Sequence, residues 1–277
     1  MSTVEAPVGA APLRLRAFRQ RRRGVVWTRR VLLYGAILVA WQLLALKEGP
    51  FFLPTLDAIA FDGVPAVFTQ GYAGTFAESL QQLAIGLVIC YAVAIPLGML
   101  IGLSRIADRF VMPFADAFFI TPTAALLPLV ILVVGTGLSF RVFVVVLFAF
   151  YYPLVNTAAG VRYNVAKYRE LSDSLCLSGP AKLWKIVLPA SAPYVVVGVR
   201  LGLGIAVQGM IVAELWVAVG TGSLLINLGA QRRLPEFFAL TGMVIVLSLA
   251  LTELVRAYER RLFARHQLEV RLDATQG

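Results

Sequence analysis

Six long apolar segments dominate this chain of 277 residues. They lie at residues 31–46, 83–103, 121–134, 142–161, 194–219 and 237–255. A helix that crosses a bilayer needs about 20 mostly apolar residues, because it rises ~1.5 Å per residue through a hydrocarbon core of ~30 Å. Charged residues make up only 14% of the chain, against about 25% in soluble domains. The sequence therefore predicts an all-α membrane protein with six transmembrane helices.

Two of these segments are short for a complete crossing. We expect the first helix to extend back through residues 25–27, with Arg29 and Arg30 reaching out to the lipid headgroups. The third is expected to begin with the amphipathic stretch at residues 110–120. It should be broken at Pro122 and Pro128, because proline removes a helical hydrogen bond.

Basic residues are distributed unevenly among the connecting segments. Most of them lie before the first span, between spans two and three, between spans four and five, and after span six. The opposite loops carry only Lys47, Arg141, Arg232 and Arg233. Because cytoplasmic loops are enriched in Lys and Arg, both termini are predicted to be cytoplasmic. The net charge of +10 does not indicate nucleic-acid binding, since the basic stretches lack the interleaved aromatic residues of such a site.

The chain divides into three parts. Residues 1–24 combine Pro, Ala and Arg without an apolar period, so a disordered basic cytoplasmic arm is expected. Residues 25–265 are expected to form one six-span domain with a cytoplasmic loop at residues 160–190, followed by a cytoplasmic tail at 266–277. No small-residue cleavage site follows the first apolar segment, which should remain as an anchor. Cys90 and Cys176 fall in different compartments, so no disulfide is expected.

Residues 170–189 read ELSDSLCLSGPAKLWKIVLP and carry charges between two apolar segments. These charges cannot lie in hydrocarbon, where each costs at least ~2.5 kcal/mol. The spaced leucines on both sides of Gly179 and Pro180 predict a short helix, a turn and a second amphipathic piece that runs into the next span. An amphipathic loop in water indicates a contact with a partner.

This loop is similar to the EAA loop of the membrane permease subunit of bacterial ABC importers, with Glu170 at its start and Leu188 and Pro189 at its end. Further blocks in the same order narrow the resemblance to the sulfonate, taurine and nitrate type. They read IPLGMLIGLSR at 95–105, TPTAALLPLVILVVGTG at 121–137, YPLVNTAAGVR at 152–162 and GVRLGLGIAVQGMIVAELW at 198–216.

The loop departs from the family pattern at three positions. Leu171 and Ser172 stand where the family has alanines, and Cys176 stands where it has a glycine. A glycine there implies a tight turn with unusual backbone angles. With Cys176 in its place, the turn is expected to be either shifted, for example to Gly179, or looser.

The resemblance implies a type I ABC importer permease with the MetI-like fold, in the bacterial cytoplasmic (inner) membrane. Two copies would form the pathway as a homodimer, with two ABC ATPase subunits docked on the loops and a substrate-binding protein docked outside. ATP and Mg²⁺ would bind to the ATPase. The solute would be a small anion such as a sulfonate, taurine or nitrate, with a pyrimidine vitamin precursor or an aromatic carboxylate as alternatives. The ATPase-coupling residues would be Glu170, Leu171, Asp173, Leu175, Cys176, Leu177, Gly179, Leu188 and Pro189.

No pattern for catalysis is found in the sequence. It has no GxxxxGK[ST] phosphate-binding loop, its single histidine is His266, and no metal-ligand spacing occurs. The chain is therefore predicted to be a transport subunit and not an enzyme, with no cofactor or metal of its own. An ion-gradient-driven secondary carrier is the competing class, although no internal repeat supports it.

Prolines and polar residues inside the apolar segments mark candidate positions for a pathway. Proline breaks are tolerated at membrane depth where a neighbouring helix or a water-filled cavity satisfies the freed carbonyl groups. Kinks that serve only packing are an equal alternative. The candidate pathway or gate residues are Thr121, Pro122, Thr123, Pro128, Asn156, Thr157, Gln208 and Glu214.

Two features of the fifth span each allow two interpretations. Glu214 is either a gate or dimer-interface group, since intramembrane charges face a partner or water, or an acid at the membrane–water interface. Gly198, Gly202 and Ala206 recur at four-residue spacing and form a smooth helix face. That face can pack within the chain or form the seam of a dimer.

Overall fold

The computed structural model describes the backbone of residues 11–273 and the side chains of residues 28–260 except 169 and 180. This part of the chain consists of helices and short loops, with no β-strand. The α-helices are α1 (Ala11–Glu48), α2 (Leu56–Ala58), α3 (Val64–Thr69), α4 (Tyr72–Leu103), α5 (Arg105–Ile120), α6 (Thr123–Val134), α7 (Leu138–Ala149), α8 (Tyr151–Lys167), α9 (Arg169–Ser174), α10 (Gly179–Lys182), α11 (Leu188–Val217), α12 (Gly220–Ala230) and α13 (Leu234–Asp273). Two π-helical turns, Ile59–Gly63 and Leu183–Val187, join α2 to α3 and α10 to α11.

Four helical stretches of the described chain are long and apolar enough to cross a membrane. They are Thr28–Glu48, Tyr72–Leu103, Leu183–Val217 and Leu234–Arg260. Two bent pairs, α5 with α6 and α7 with α8, pass the same test when each pair is taken together. Counting each pair as one span gives six, in agreement with the sequence.

The third span is bent by 104° between α5 and α6. Thr121 is extended, with ψ of 130°, because the residue before a proline is disfavoured in the helical region. The break predicted at Pro122 is confirmed. The break predicted at Pro128 is wrong, since α6 continues through that residue. Pro128 removes only the bond to the carbonyl of Ala124 in the first turn, and the remaining bonds hold the helix.

The fourth span is bent by 40° between α7 and α8. Pro153 lies in the first turn of α8 and has no N–H to donate to the carbonyl oxygen of Ala149. That oxygen lies against Gly202 of α11, where an added Cβ would be only 3.1 Å away. Because Gly202 has no side chain, α11 can approach the end of α7 closely at the bend.

The smooth face of α11, formed by Gly198, Gly202 and Ala206, packs inside the chain. A Cβ added to Gly198 would lie 2.8 Å from Cα of Pro153. Ala206 is fully buried in a core cluster with Cys90 of α4 and Val145 of α7. Of the two sequence interpretations, the structure therefore favours intrachain packing over a seam between copies.

The two ends of the helix bundle are tied by different polar contacts. At one end Arg162 of α8 pairs with Asp108 of α5 at 2.5 Å, and Arg200 of α11 pairs with Glu259 of α13 at 2.5 Å. At the other end the hydroxyl groups of Ser79 in α4 and of Thr221 in α12 are 2.9 Å apart. Residues that the sequence assigns to one side of the membrane thus meet at one end of the bundle.

The N-terminal arm differs from the prediction. Disorder is expected over residues 1–24, but α1 begins at Ala11 and continues into the first span. Pro12 lies in the first turn, where its missing N–H costs little, and the Leu, Arg and Gln residues that follow are good helix formers. Residues 1–10 lie outside the described chain, as do residues 274–277 of the predicted tail.

Candidate functional site

The loop at residues 170–189 turns at the position that the sequence singled out. Cys176 has a positive φ of 48°, so the cysteine itself adopts the left-handed conformation. The N–H of Cys176 donates to the carbonyl of Asp173 and the N–H of Leu177 to that of Ser172, both at 3.1 Å. These two bonds form a Schellman motif that ends α9. The turn is therefore neither shifted to Gly179 nor loosened, and both expectations are wrong.

The tight turn forms without a glycine because backbone hydrogen bonds hold the motif and because the loop is anchored to the bundle. Ser172 is buried, as is Val187 on the far side of the loop. These contacts offset a left-handed penalty of roughly 1–2 kcal/mol for a residue other than glycine. Gly179 instead begins α10, and a Cβ added to it would meet no neighbour within 4 Å.

The outer face of the loop is apolar. Leu171 is 50% exposed, Leu175 is 58% exposed and Trp184 is 69% exposed. Leu171 and Leu175 are four residues apart, so they occupy the same side of the short helix and its C-cap. Leu177, another leucine of the predicted coupling set, is only half-exposed. Trp184 is absent from the predicted set, although its place in the amphipathic piece was the signal that could have found it.

The rest of the predicted loop set lies around this face. The carboxylate of Asp173 faces the Nζ of Lys182 at 3.9 Å across the turn, a surface pair that contributes at most ~1 kcal/mol. Glu170 is exposed at the start of α9. Leu188 and Pro189 form the first turn of α11, which follows the π-helical turn without a gap. The loop is therefore continuous with a membrane-spanning helix.

Glu214 lies at the end of α11 and is fully buried in its own chain. Its Oε1 accepts a hydrogen bond from Nε2 of Gln82 at 2.6 Å, and its Oε2 accepts one from the N–H of Gly222 at 2.9 Å. The second bond places the carboxylate at the N-terminus of α12, where the helix dipole favours negative charge. Glu214 thus holds α4, α11 and α12 together.

Arg141 of α7 is near enough to act electrostatically on this cluster. Its positive charge acts on the carboxylate of Glu214, and its Nε is buried without a hydrogen bond among the described residues. The dimer-interface and membrane–water interpretations of Glu214 are wrong, because a side chain fully buried in its own chain faces neither a second copy nor water; its role as a gate stays a prediction. Sequence reasoning missed Ser79, Gln82 and Arg141 as partners, since they come from helices far apart in the chain.

The pathway candidates separate into two groups. Thr123 of α6 and Gln208 of α11 line a common cavity of about 180 Å³ beside the two helix breaks. Thr157 is instead fully buried, with its Cβ 2.8 Å from the Cβ that Gly98 lacks. It serves the packing of α8 on α4. Asn156 donates its side-chain amide to the carbonyl of Tyr152 at 2.8 Å.

The residues at the first break lie beside this cavity but do not line it. The hydroxyl of Thr121 donates to the carbonyl of Ala117 at 2.9 Å, and Pro122 and Pro128 are exposed. The lining also includes Phe119, Tyr151 and Tyr152, which the sequence did not single out. Aromatic residues in an apolar segment give no signal that separates a cavity wall from the core.

The sequence matches the profile of one protein family, described as the binding-protein-dependent transport system inner membrane component, over residues 94–264. This match begins within α4 and covers the two bent spans, the loop and the last two spans. The first helix and the extension at residues 1–24 lie before it.

Permeases of several bacteria are similar over most of the chain. A probable ABC transporter permease of Brucella melitensis biotype 1 is 30% identical, over 84% of this chain and 94% of that protein. The putative aliphatic sulfonates transport permease SsuC of Bacillus subtilis (strain 168) is 27% identical, over 87% of this chain and 88% of that protein. The taurine transport system permease TauC of Escherichia coli (strain K12) is 28% identical, over 84% of this chain and 87% of that protein.

Proposed function

Because this chain belongs to the family of binding-protein-dependent transport system inner membrane components, we propose that two copies of it form the pathway of an importer for small anions. The chain is the permease subunit of an ABC importer, in the bacterial inner membrane. Its helical fold is that of the type I, MetI-like permeases. This membership sets aside the alternative of an ion-gradient-driven secondary carrier.

The exposed apolar face of the loop carries the assignment of the ATPase contact. Leu171, Leu175 and Trp184 lie in an aqueous segment, where apolar side chains gain little unless a partner covers them. A short helix that presents apolar residues at four-residue spacing fits into a groove. We assign the groove to the ATPase, with Glu170 at its polar rim, and ATP with Mg²⁺ to that partner.

The continuity of the loop with α11 supplies a mechanical link. Closure of two ATPase subunits would push the two loops together, and α11 would carry that movement into the bilayer as a rigid element. Rigid-body movement of packed helices is a common form of switching between two states. In this proposal the coupling energy passes through the loop, since the sequence of the permease has no GxxxxGK[ST] phosphate-binding pattern.

The orientation follows from the basic residues. Both termini and the loop face the cytoplasm, and α12 faces the outside, where a soluble binding protein docks. The small anion is a sulfonate, taurine or nitrate, with the sulfonate class favoured by the names of the relatives. Selection of the solute is shared with the binding protein, so this chain need not carry all of the specificity.

The ATPase contact is tested by changing the exposed face without touching the bundle. Leu175→Asp and Glu170→Lys should abolish co-purification of the ATPase from membranes while the permease remains inserted. Ser178→Asp is the matched control, since Ser178 is exposed in the same loop but lies outside the apolar face. Unchanged co-purification and unchanged substrate-stimulated ATP hydrolysis in both variants would refute the assignment.

The orientation is tested by labelling single cysteines in a background without Cys90 and Cys176. Ser178→Cys should be protected from an impermeant thiol reagent in intact cells, and Gln231→Cys should react. Both positions are exposed, so accessibility depends only on the side of the membrane. Labelling of the first and protection of the second would invert the topology.

A further inference from the structure

The two helix breaks open onto one cavity. Phe119 comes from the end of α5 and Thr123 from the start of α6, on either side of the 104° bend. Tyr151 and Tyr152 come from the start of α8, directly after the second break. Gln208 of α11 closes the cavity, whose volume is about 180 Å³. Broken helices at membrane depth are typical of solute sites in transporters.

Three aromatic rings form one wall of this cavity. Phe119 and Tyr151 are stacked, with ring centroids 4.2 Å apart and planes 14° from parallel. The ring of Tyr152 stands nearly perpendicular to both, at 89° and 84°, with centroids 5.9 Å away. The faces of aromatic rings carry the negative part of the ring quadrupole, so they attract a cation that enters the cavity.

The charge next to the cavity is negative. The hydroxyl of Tyr151 donates to Oδ1 of Asp116 at 2.9 Å, and Lys, Arg and His are absent from the lining residues. Among the described side chains, no cation pairs with Asp116. A carboxylate within a membrane-spanning segment normally faces a partner charge or water. A free anion near Tyr151 would therefore be repelled by the carboxylate of Asp116.

Two neutral polar side chains also line the cavity. They are Thr123 and Gln208, whose hydroxyl and amide groups can donate hydrogen bonds to an oxyanion. An apolar cavity of ~150 Å³ accepts benzene, so a volume of about 180 Å³ suits a solute of similar size. The lining thus offers groups for a cation and groups for an oxyanion.

We propose that this cavity is an ammonium-binding subsite on the transport pathway, in which Asp116 and the rings of Phe119, Tyr151 and Tyr152 hold the cationic end of a small zwitterion. Thr123 and Gln208 receive its oxyanion. The inference rests on the proposed importer function and narrows its solute class to molecules with an ammonium group. Inorganic anions and simple alkanesulfonates lack the group that this site recognises.

The test compares two probes that differ only by the ammonium group. Binding of 2-aminoethanesulfonate and of ethanesulfonate is measured on the permease–ATPase complex in nanodiscs, without the binding protein. We expect saturable binding of 2-aminoethanesulfonate, with ethanesulfonate at least about tenfold weaker, since a desolvated cation–π contact alone contributes about that factor. Equal affinity for the two probes, or no saturable binding of the first, would overturn the subsite.

Variants locate the subsite and separate it from the importer assignment. Asp116→Asn and Tyr152→Leu should remove the preference for 2-aminoethanesulfonate, whereas Tyr152→Phe keeps the ring and should retain it. A preference that survives both Asp116→Asn and Tyr152→Leu would place the ammonium group elsewhere and refute the proposal. Co-purification of the ATPase is measured on the same samples, so failure of the importer assignment appears as loss of the ATPase in the unmodified protein.

Discussion

The amide nitrogen of Gln82 donates a hydrogen bond to the carboxylate of Glu214 over 2.6 Å, although the two residues are 132 positions apart in the sequence. Both side chains are fully buried. The same carboxylate accepts the N–H of Gly222, so one acid links α4, α11 and the N-terminus of α12. This arrangement makes Glu214 a structural group that ties three helices together.

Loss of this carboxylate should destabilise the protein severely. Glu214→Ala leaves the buried amide of Gln82 and the N–H of Gly222 without their acceptor, at a cost of about 1–3 kcal/mol for each unsatisfied group. Glu214→Gln keeps two polar atoms in place and should cost less. Thermal unfolding in detergent measures both variants. Glu78→Ala is the control, because Glu78 is exposed on the same helix as Gln82, and equal melting of this control and Glu214→Ala would contradict the assignment.

Gly222, in the first turn of α12, should be intolerant of a side chain. A Cβ at Gly222 would lie 2.8 Å from Cβ of Glu214 and 2.8 Å from the carbonyl oxygen of Ile211. Gly222→Ala is therefore expected to cost roughly 1–3 kcal/mol through overpacking. Gly74→Ala, where no atom lies within 4 Å, should be neutral or slightly stabilising. The yield of monodisperse protein and its melting temperature would show the difference, and similar values for the two would count against the packing described here.

Replacement of the left-handed cysteine should stabilise the loop. Cys176→Gly relieves the strain of a positive φ, which is worth up to ~1 kcal/mol after the added freedom of glycine in the unfolded chain is subtracted. Hydrogen exchange at the amide of Leu177 should slow by up to about fivefold for that free energy. Ser174→Gly, within α9, should speed exchange instead because glycine weakens a helix. Faster exchange in Cys176→Gly would mean that the turn is not held as described.

The glycines of α11 should tolerate a methyl group only where no neighbouring helix packs against them. Gly198→Ala forces a Cβ to 2.8 Å from the backbone of Pro153, so α8 and α11 must separate, at a cost of roughly 1–3 kcal/mol. Gly204→Ala meets no atom within 4 Å and should leave the melting temperature unchanged. If Gly198→Ala instead left the melting temperature unchanged and only dissociated the homodimer, the face formed by Gly198, Gly202 and Ala206 would be a dimer seam.

Segment length and apolarity were enough to identify the spans from the sequence. Six apolar segments predict six crossings because backbone groups must be satisfied inside hydrocarbon, which leaves helices as the solution. Pro122 could be assigned as a break for a local reason, the clash between a proline and the residue before it. The charged loop was recognised because its charges are excluded from hydrocarbon. Each of these inferences depends on neighbours in the sequence.

Only the tertiary structure decided the role of Glu214 and the members of the cavity. Gln82 and Gly222 reach Glu214 from two other helices, and no local pattern records such a meeting. Phe119, Tyr151 and Tyr152 read as ordinary apolar residues until two helix breaks bring them to one corner. Burial and partnership depend on how helices pack, whereas the amino-acid sequence directly determines only what each helix must avoid: unpaired charge and unsatisfied backbone in a medium without water.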